Sequence, residues 1–362
     1  MQKVLIVVPY SHPSKCGIWN RAWSDAKFLK SQGFDVTIFS SNVIKGTKMR
    51  SGCFENFEGI NIRRFKVQFS FGGTSMFWFF PRWFIKLSPN IVHVHGYRHP
   101  HSLQALILSK LFNKKVFITT HAPFEKDNSR SWLLKLIDAL YDIFIGWWEL
   151  RLYKKVIRIS KWEEKYLIKL GVKSSIYIPN GISPIFTDSK NPVSAKPLNK
   201  AIFMGRIDPI KRLEWIKYAA TKLPQINFLI RGPLDGYDTF DSDTSNLIIN
   251  PEKYEHLDFK NELAKADLYI LPSVREALPF TLLEAMSQGV IALSSASKGG
   301  IEVIEDGVNG FIFNSKDELV SKIEYIYANW NITKQIRDNA EKTSLDYKLD
   351  KINALLQDLY SL

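Results

Sequence analysis

Short apolar runs alternate with segments of helical period along the whole chain, and this alternation constrains the fold more than any other feature. Lys3-Val4-Leu5-Ile6-Val7-Val8, Asp35 to Ser40, Ile91 to His95 and Val116 to Thr120 read as strands, with amphipathic stretches between them. Such a pattern predicts parallel strands joined by crossover helices. It lapses at Ser183 to Asn199, where Pro184, Pro192 and Pro197 punctuate a stretch of little apolar content that reads as an interdomain linker. Beyond it the alternation restarts: strands at Ala201 to Met204, Asn227 to Arg231 and Leu268 to Leu271, a helix over Arg212 to Leu223, and another from Pro279. The 362 residues suit two domains of about 150 to 200 residues each. Two successive open α/β domains are expected to face each other across a cleft, with the active site at the carboxyl ends of the strands.

Composition excludes several classes. Charged residues make up 23% and hydrophobic ones 45%, the balance of a folded chain rather than a disordered one. Cys16 and Cys53 alone cannot build a disulfide framework or a four-thiolate zinc site, which points to a reducing, cytoplasmic setting. No run reaches the roughly 18 uncharged apolar residues of a membrane helix; the longest candidate, Val67 to Pro81, contains Gln68 and two glycines. Residues 1 to 9 lack the pattern of a cleaved signal and read as part of the fold. The net charge of +13 is lopsided: residues 1 to 180 carry +17 and the remainder −4, and eight of the ten tryptophans lie in the first part. Basic residues among large aromatics suit an anionic membrane surface, nucleic acid or an acidic ligand. Two segments concentrate them, Phe69 to Leu87 and Trp132 to Tyr153; each reads first as a core-facing helix, and second as a surface for lipid headgroups.

The most informative stretch runs from Leu271 to Met286. A strand ends at Leu271, a loop carries Glu276, and Pro279 is expected at the first helical position, where its missing N–H costs nothing. The N–H groups of Phe280, Thr281 and Leu282 would then emerge unpaired at a helix N-terminus, an anion site suited to a diphosphate. Glu276 before the helix and Glu284 in its second turn can face one ligand from two depths, and carboxylates beside a phosphate are best used on sugar or ribose hydroxyls. After the first strand of the second half, Gly205 allows close approach, while Arg206 and Lys211 supply two cations that could neutralise a diphosphate leaving group. Asp241-Ser242-Asp243 spells an acidic triplet used elsewhere for metal-bound donors, but its polar surroundings lack strand character and it reads as loop.

The glutamate pair with seven residues between, followed by Gly289-Val290, by Gly299-Gly300-Ile301-Glu302-Val303-Ile304 and by Glu305-Asp306-Gly307-Val308-Asn309-Gly310-Phe311, resembles the donor domain of retaining glycosyltransferases of family 4, whose fold is GT-B. Ser160-Lys161-Trp162, Pro179-Asn180-Gly181-Ile182 and Gly205 to Lys211 occur in the family's order. The resemblance implies two Rossmann-like domains facing a central cleft. An acceptor-binding domain would span 1–182, a linker 183–199 and a nucleotide-sugar domain 200–345, with a C-terminal helix, 346–362, packing back on the first. It implies that Arg206 and Lys211 bind the donor diphosphate, that Glu284 holds the nucleotide ribose and Glu276 the transferred sugar, and that Leu278, Pro279, Phe280 and Thr281 surround the phosphates and sugar. His121, at the end of the strand Val116 to Thr120, would lie near the reacting sugar. In the first loop, Ser14-Lys15-Cys16-Gly17-Ile18, Cys16 replaces the first of the family's adjacent glycines, which narrows the approach to Gly17.

The activity so implied is transfer of a hexose-type sugar from a nucleoside diphosphate to a hydroxyl of a lipid-linked or other membrane-associated glycan, with retention and no essential metal or cofactor. Ile230-Arg231-Gly232-Pro233 and Asn250-Pro251 would frame the base. A GT-B enzyme that epimerises or hydrolyses a nucleotide sugar would keep the same pocket. A dinucleotide oxidoreductase is disfavoured because no Gly-x-Gly-x-x-Gly follows Val4 to Val8, and a basic nucleic-acid binder would not need paired glutamates at a phosphate-binding helix end.

Overall fold

The computed structural model describes residues 1–14, 16–71, 75–124, 131–188 and 198–361. The chain divides into two compact units, Met1–Pro179 with Leu355–Leu362, and Asn180–Ala354. Each is built on a largely parallel sheet, as the alternation predicts.

The N-terminal unit contains β1 (Lys3–Val8), β2 (Asp35–Ser41), β3 (Phe54–Phe57), β4 (Ile60–Phe65), β5 (Phe69–Phe71), β6 (Ser75–Phe77), β7 (Ile91–His95), β8 (Lys115–Thr119), β9 (Lys155–Arg158) and β10 (Ser175–Tyr177). Eight form one sheet in the order β10-β9-β8-β7-β1-β2-β4-β3, parallel except for β3 against β4. Val4 to Val8 of the central β1 are wholly buried, the consequence of helices covering both faces of a parallel sheet.

Both aromatic segments differ from a plain core-facing helix. Phe69 to Leu87 forms the antiparallel pair β5–β6 and then a short helix, Pro81–Leu87, whose proline occupies the first turn. Trp78, Phe80 and Phe84 are buried, and Phe69 and Phe79 are exposed. Trp132 to Tyr153 is a helix, Trp132–Tyr141, a π-helical turn, Asp142–Gly146, and a second helix, Trp147–Leu152. The wide turn closes over Tyr97: a Cβ on Gly146 would lie 1.7 Å from the Tyr97 hydroxyl, so this position requires glycine. The Trp132–Tyr141 helix has no buried residue at all.

The C-terminal unit contains β11 (Lys200–Met204), β12 (Asn227–Arg231), β13 (Leu247–Asn250), β14 (Leu268–Leu271), β15 (Ile291–Ser295) and β16 (Phe311–Phe313), all parallel, in the order β13-β12-β11-β14-β15-β16. The connections run outward in opposite directions from β11 and from β14. The crevice above these two strands is therefore the topological switch point, where open sheets of this kind bind ligands.

The stretch read as a linker, 183–199, begins with a turn of helix, Pro184–Thr187, whose Phe186 is fully buried against His256 and Phe259. Residues 189–197, with Pro192 and Pro197, lie outside the described residues, as does Lys15. The Leu349–Ser361 helix ends in the N-terminal unit, where buried Tyr360 puts its hydroxyl 2.7 Å from His93 Nδ1. No helix among the described residues is long and apolar enough to cross a membrane.

Candidate active site

The switch point of the C-terminal unit is assembled from the loops after β11 and β14. After β11 the chain passes through Gly205 and Arg206 to Asp208, whose carboxylate accepts the Ile210 N–H at 2.8 Å and starts the turn Pro209–Lys211. Arg212 then takes a left-handed conformation, φ 48°, and donates to the carbonyls of Pro272 at 2.8 Å and Ser273 at 3.2 Å. The Val274 N–H bonds the Ile210 carbonyl at 2.8 Å. These bonds knit the two loops together. The β12 loop is equally close: a Cβ on Gly232, φ +148°, would stand 1.8 Å from the Gly205 carbonyl oxygen.

Both expected cations reach this point, and both are already paired. Arg206 contacts Asp208 at 2.9 Å and also Asp235, while Lys211 contacts Glu276. Asp235, near the start of the loop after β12, has no marker in the sequence, since its relation to Arg206 exists only once β11 and β12 lie side by side. An incoming anion would exchange with these carboxylates rather than meet bare cations.

The helix after β14 runs from Phe280 to Ser287, one residue later than expected. Pro279 is its N-cap, φ −77° and ψ 113°, and its carbonyl accepts the Leu283 N–H. Phe280, Thr281 and Leu282 thus retain N–H groups without intrahelical partners, at the positive end of the helix dipole. The approach is held firmly. The Leu278 carbonyl accepts from Asn180 Nδ2 at 3.0 Å, and the Glu276 carbonyl from the Gly299 N–H at 2.9 Å. A Cβ on Gly299 would sit 2.7 Å from two carbonyl oxygens. The Thr281 hydroxyl accepts from the Tyr269 O–H, 2.6 Å away, and keeps its own proton as a donor beside the backbone N–H.

The two glutamates differ sharply. Glu276 is salt-bridged to Lys211; Glu284 is 4% exposed and has no hydrogen-bonded or charged partner among the described residues. Burial alone pushes its carboxyl up to about 8. A carboxylate in that position gains from any ligand that brings hydrogen-bond donors to it.

Two expected residues lie in the N-terminal unit. Gly17 opens the Gly17–Ser31 helix after β1 and is exposed, while the Cys16 side chain before it is buried. His121 follows β8 with φ 59°, next to Ala122 with φ 52°, a left-handed pair held by Glu163, which accepts the Ala122 N–H at 2.9 Å. Its Nε2 lies 3.0 Å from Nδ1 of His95, a residue the sequence reading missed. Asp241 and Asp243 lie on the loop between β12 and β13, and Asp243 is paired with Lys217 at 2.8 Å.

Comparison with known proteins bears on the family and the fold. The family described as Glycosyl transferases group 1 matches residues 185–343, and Glycosyltransferase Family 4 matches residues 17–185. An uncharacterized glycosyltransferase of Haemophilus influenzae is 28% identical over 203 residues, 53% of this chain and 55% of the relative. The alpha-galactosylglucosyldiacylglycerol synthase of Streptococcus pneumoniae is 28% identical over 171 residues, 43% of this chain and 44% of the relative. Each match thus covers about half of the relative's length. Among solved structures, Anabaena HepE in complex with UDP and glucose superposes over 100% of both chains with a TM-score of 0.73 at 17% identity, a likeness of fold. The two family matches divide between them nearly the whole of a chain with two parallel-sheet units, and the chain belongs to the family 4, group 1 glycosyltransferases of GT-B fold.

Proposed function

We propose that this protein is a retaining glycosyltransferase that moves a hexose-type sugar from a nucleoside-diphosphate donor to a hydroxyl of a lipid-borne glycan at the cytoplasmic face of an anionic membrane. The observation that carries the donor half is the solitary Glu284 carboxyl beside an open helix N-terminus, at a switch point that also gathers Arg206, Lys211 and Glu276. Glu284 accepts ribose hydroxyls, the N–H groups of Phe280 to Leu282 and the two cations take the diphosphate, and Glu276 turns to the sugar. Negative charge grows on the departing diphosphate, and preorganised donors lower the barrier most where charge develops. Two side-chain cations and a helix end meet that need, so we expect turnover without a metal. The phosphate oxygen leaving from the front face takes the acceptor proton.

The acceptor half rests on the N-terminal unit's surface. Trp132, Leu133, Leu136, Leu140, Ile143 and Phe144 are all exposed on consecutive turns, with Arg151, Lys154 and Lys155 beyond them. An apolar helix face flanked by cations suits a lipid interface. The diacylglycerol in the name of the Streptococcus relative is in keeping with such an acceptor.

Thermal-shift screening of nucleotide sugars would identify the donor, because a ligand that binds only the native state stabilises it by mass action. With that donor and a lipid extract, Arg206→Ala, Lys211→Ala and Glu276→Ala are each expected to lower turnover by ~100-fold or more, the scale of a lost transition-state charge contact. Near-normal kinetics in all three would overturn the site.

A further inference from the structure

Five histidines crowd the carboxyl ends of β7 and β8, and only His121 is one that the family resemblance brings near a reacting sugar. β7 carries His93 and His95 on one face, both wholly buried. His93 has both ring nitrogens engaged, Nδ1 with the Tyr360 hydroxyl at 2.7 Å and Nε2 with the Thr119 hydroxyl at 2.8 Å. His95 does not. Its Nδ1 meets His121 Nε2 at 3.0 Å, while its Nε2 is buried without a hydrogen bond and lies 3.8 Å from Asp25 Oδ2.

Asp25 is held in turn. Arg21 Nε reaches its two carboxylate oxygens at 2.9 and 3.0 Å, and Arg21 Nη1 donates to the carbonyl of Ile178 at 2.9 Å. Asp25, His93 and His95 bring ligand-type atoms within 4.8 Å of one another. A cation there would compete with the Arg21 guanidinium and with both bonds of His93, so protein hydrogen bonds already engage two of its three ligands, Asp25 and His93.

The row Asp25, His95, His121 determines where protons sit. Burial first, and the surrounding histidines and Arg21 after it, push the pKa of His95 and of His121 well below the ordinary imidazole value, so both rings are neutral and one proton lies between them. Two arrangements are possible. In one, His95 Nε2–H faces the Asp25 carboxylate, His95 Nδ1 accepts from His121 Nε2–H, and the lone pair of His121 is on Nδ1. In the other, both tautomers are reversed, and a bare nitrogen of His95 faces the carboxylate. The Asp25 carboxylate, 3.8 Å from His95 Nε2, favours the first and opposes the second in an interior of low dielectric, and Arg21, which bonds both carboxylate oxygens, offsets part of that preference. His121 Nδ1 has no partner among the described residues and is not sealed from solvent.

We infer that Asp25 and His95 are positioning residues that lock His121 as the Nε2–H tautomer, so that it offers the Nδ1 lone pair to a hydroxyl of the transferred sugar. This rests on the assignment of His121 to the sugar site. The device works at a distance from the ligand, as an outer hydrogen-bond shell does when it selects an imidazole tautomer. Glu163 adds a backbone restraint, since it holds Thr120 and Ala122 on either side of the ring.

Ring-nitrogen NMR of the full chain labelled with 15N-histidine tests the inference without any substrate, because the long-range proton couplings show which nitrogen is protonated. His121 is expected with its proton on Nε2. In His95→Phe the His121 signals should shift to a mixture of tautomers and kcat should fall about tenfold, the worth of one neutral hydrogen bond, with the Kd for UDP unchanged. His95→Asn, whose Oδ1 can accept in place of the ring nitrogen, should recover the tautomer and most of the loss. A wild-type His121 protonated on Nδ1, or a His95→Phe protein whose His121 keeps its tautomer, would overturn the inference. Should His95→Phe not fold, the wild-type spectrum decides alone. An Nε2–H tautomer in a protein that neither binds nucleotides nor transfers sugar would leave the relay standing and sink the glycosyltransferase reading instead.

Discussion

Glu284 keeps a carboxyl in the interior with tyrosine rings, Tyr254 and Tyr269, for neighbours and no cation among the described residues to offset it. Its pKa is raised from 4.5 to about 8 by desolvation, so the folded protein holds a proton that the unfolded chain would release. The stability this contributes is complete below the unfolded value near 4.5 and is lost as pH rises through about 8. Ribose hydroxyls donate to the ionised form. Nucleoside binding should therefore tighten as pH rises from about 5 to 8 and then level off, and Glu284→Gln should bind more weakly without that slope; calorimetric titration with uridine or the matching nucleoside, free of phosphate ionisations, measures both. A wild-type slope of the opposite sign would remove Glu284 from the ribose. At this scale the sequence was legible in placement: Arg206 and Lys211 follow β11, Glu276 follows β14 and Glu284 lies in the helix after it, as expected. It was mute about Asp235, His95 and Asp25, because a carboxylate far along the chain, or a histidine within a buried strand, shows its partner only after folding.

Among the elements, the Trp132–Tyr141 helix with its π-helical extension is the least explained by intramolecular packing. Trp132 is 74% exposed, Ile143 66% and Phe144 69%, a row of large apolar side chains with no covering element among the described residues. Period and composition made the amphipathic character visible, but periodicity cannot say whether an apolar face meets the core or the outside. In a flotation assay the protein should bind anionic vesicles at low salt and lose most of that binding at high salt, since Lys and Arg contacts to anionic headgroups are screened. Phe144→Glu and Trp132→Glu should each weaken partitioning by about tenfold or more, the loss expected when one large side chain no longer enters the interface. Absence of binding to anionic vesicles at low salt would dismiss the membrane. Strands were the most legible elements: β12 and β14 match their expected limits residue for residue, because a buried apolar run bounded by polar or turn residues has little freedom in register. Phe69 to Leu87 was least legible, since aromatic residues serve strand and helix alike.

Across the whole molecule, the chain leaves the N-terminal unit at Pro179 and returns to it from Leu355. The returning segment is structural there. Tyr360 is buried, bonded to His93 and in ring contact with Phe34 and Phe117. Tyr360→Ala should lower the stability of that unit by about 3–5 kcal/mol, as loss of a buried aromatic ring does; chemical denaturation followed by tryptophan fluorescence, dominated by the eight tryptophans before residue 181, would register it. A cost below about 1 kcal/mol, within the range of ordinary surface substitutions, would show that the segment is not part of the core. The amino-acid order by itself determined the α/β class, the succession of two sheets and the placing of Arg206, Lys211 and Glu276 after strand ends, because hydrophobic period and end-of-element chemistry are local properties. Which strands stand side by side, and hence that Arg206 meets Asp235, that Glu284 is left without a counter-charge and that His95 backs His121, was decided by the tertiary structure, since such pairings depend on distances through space that no spacing along the chain encodes.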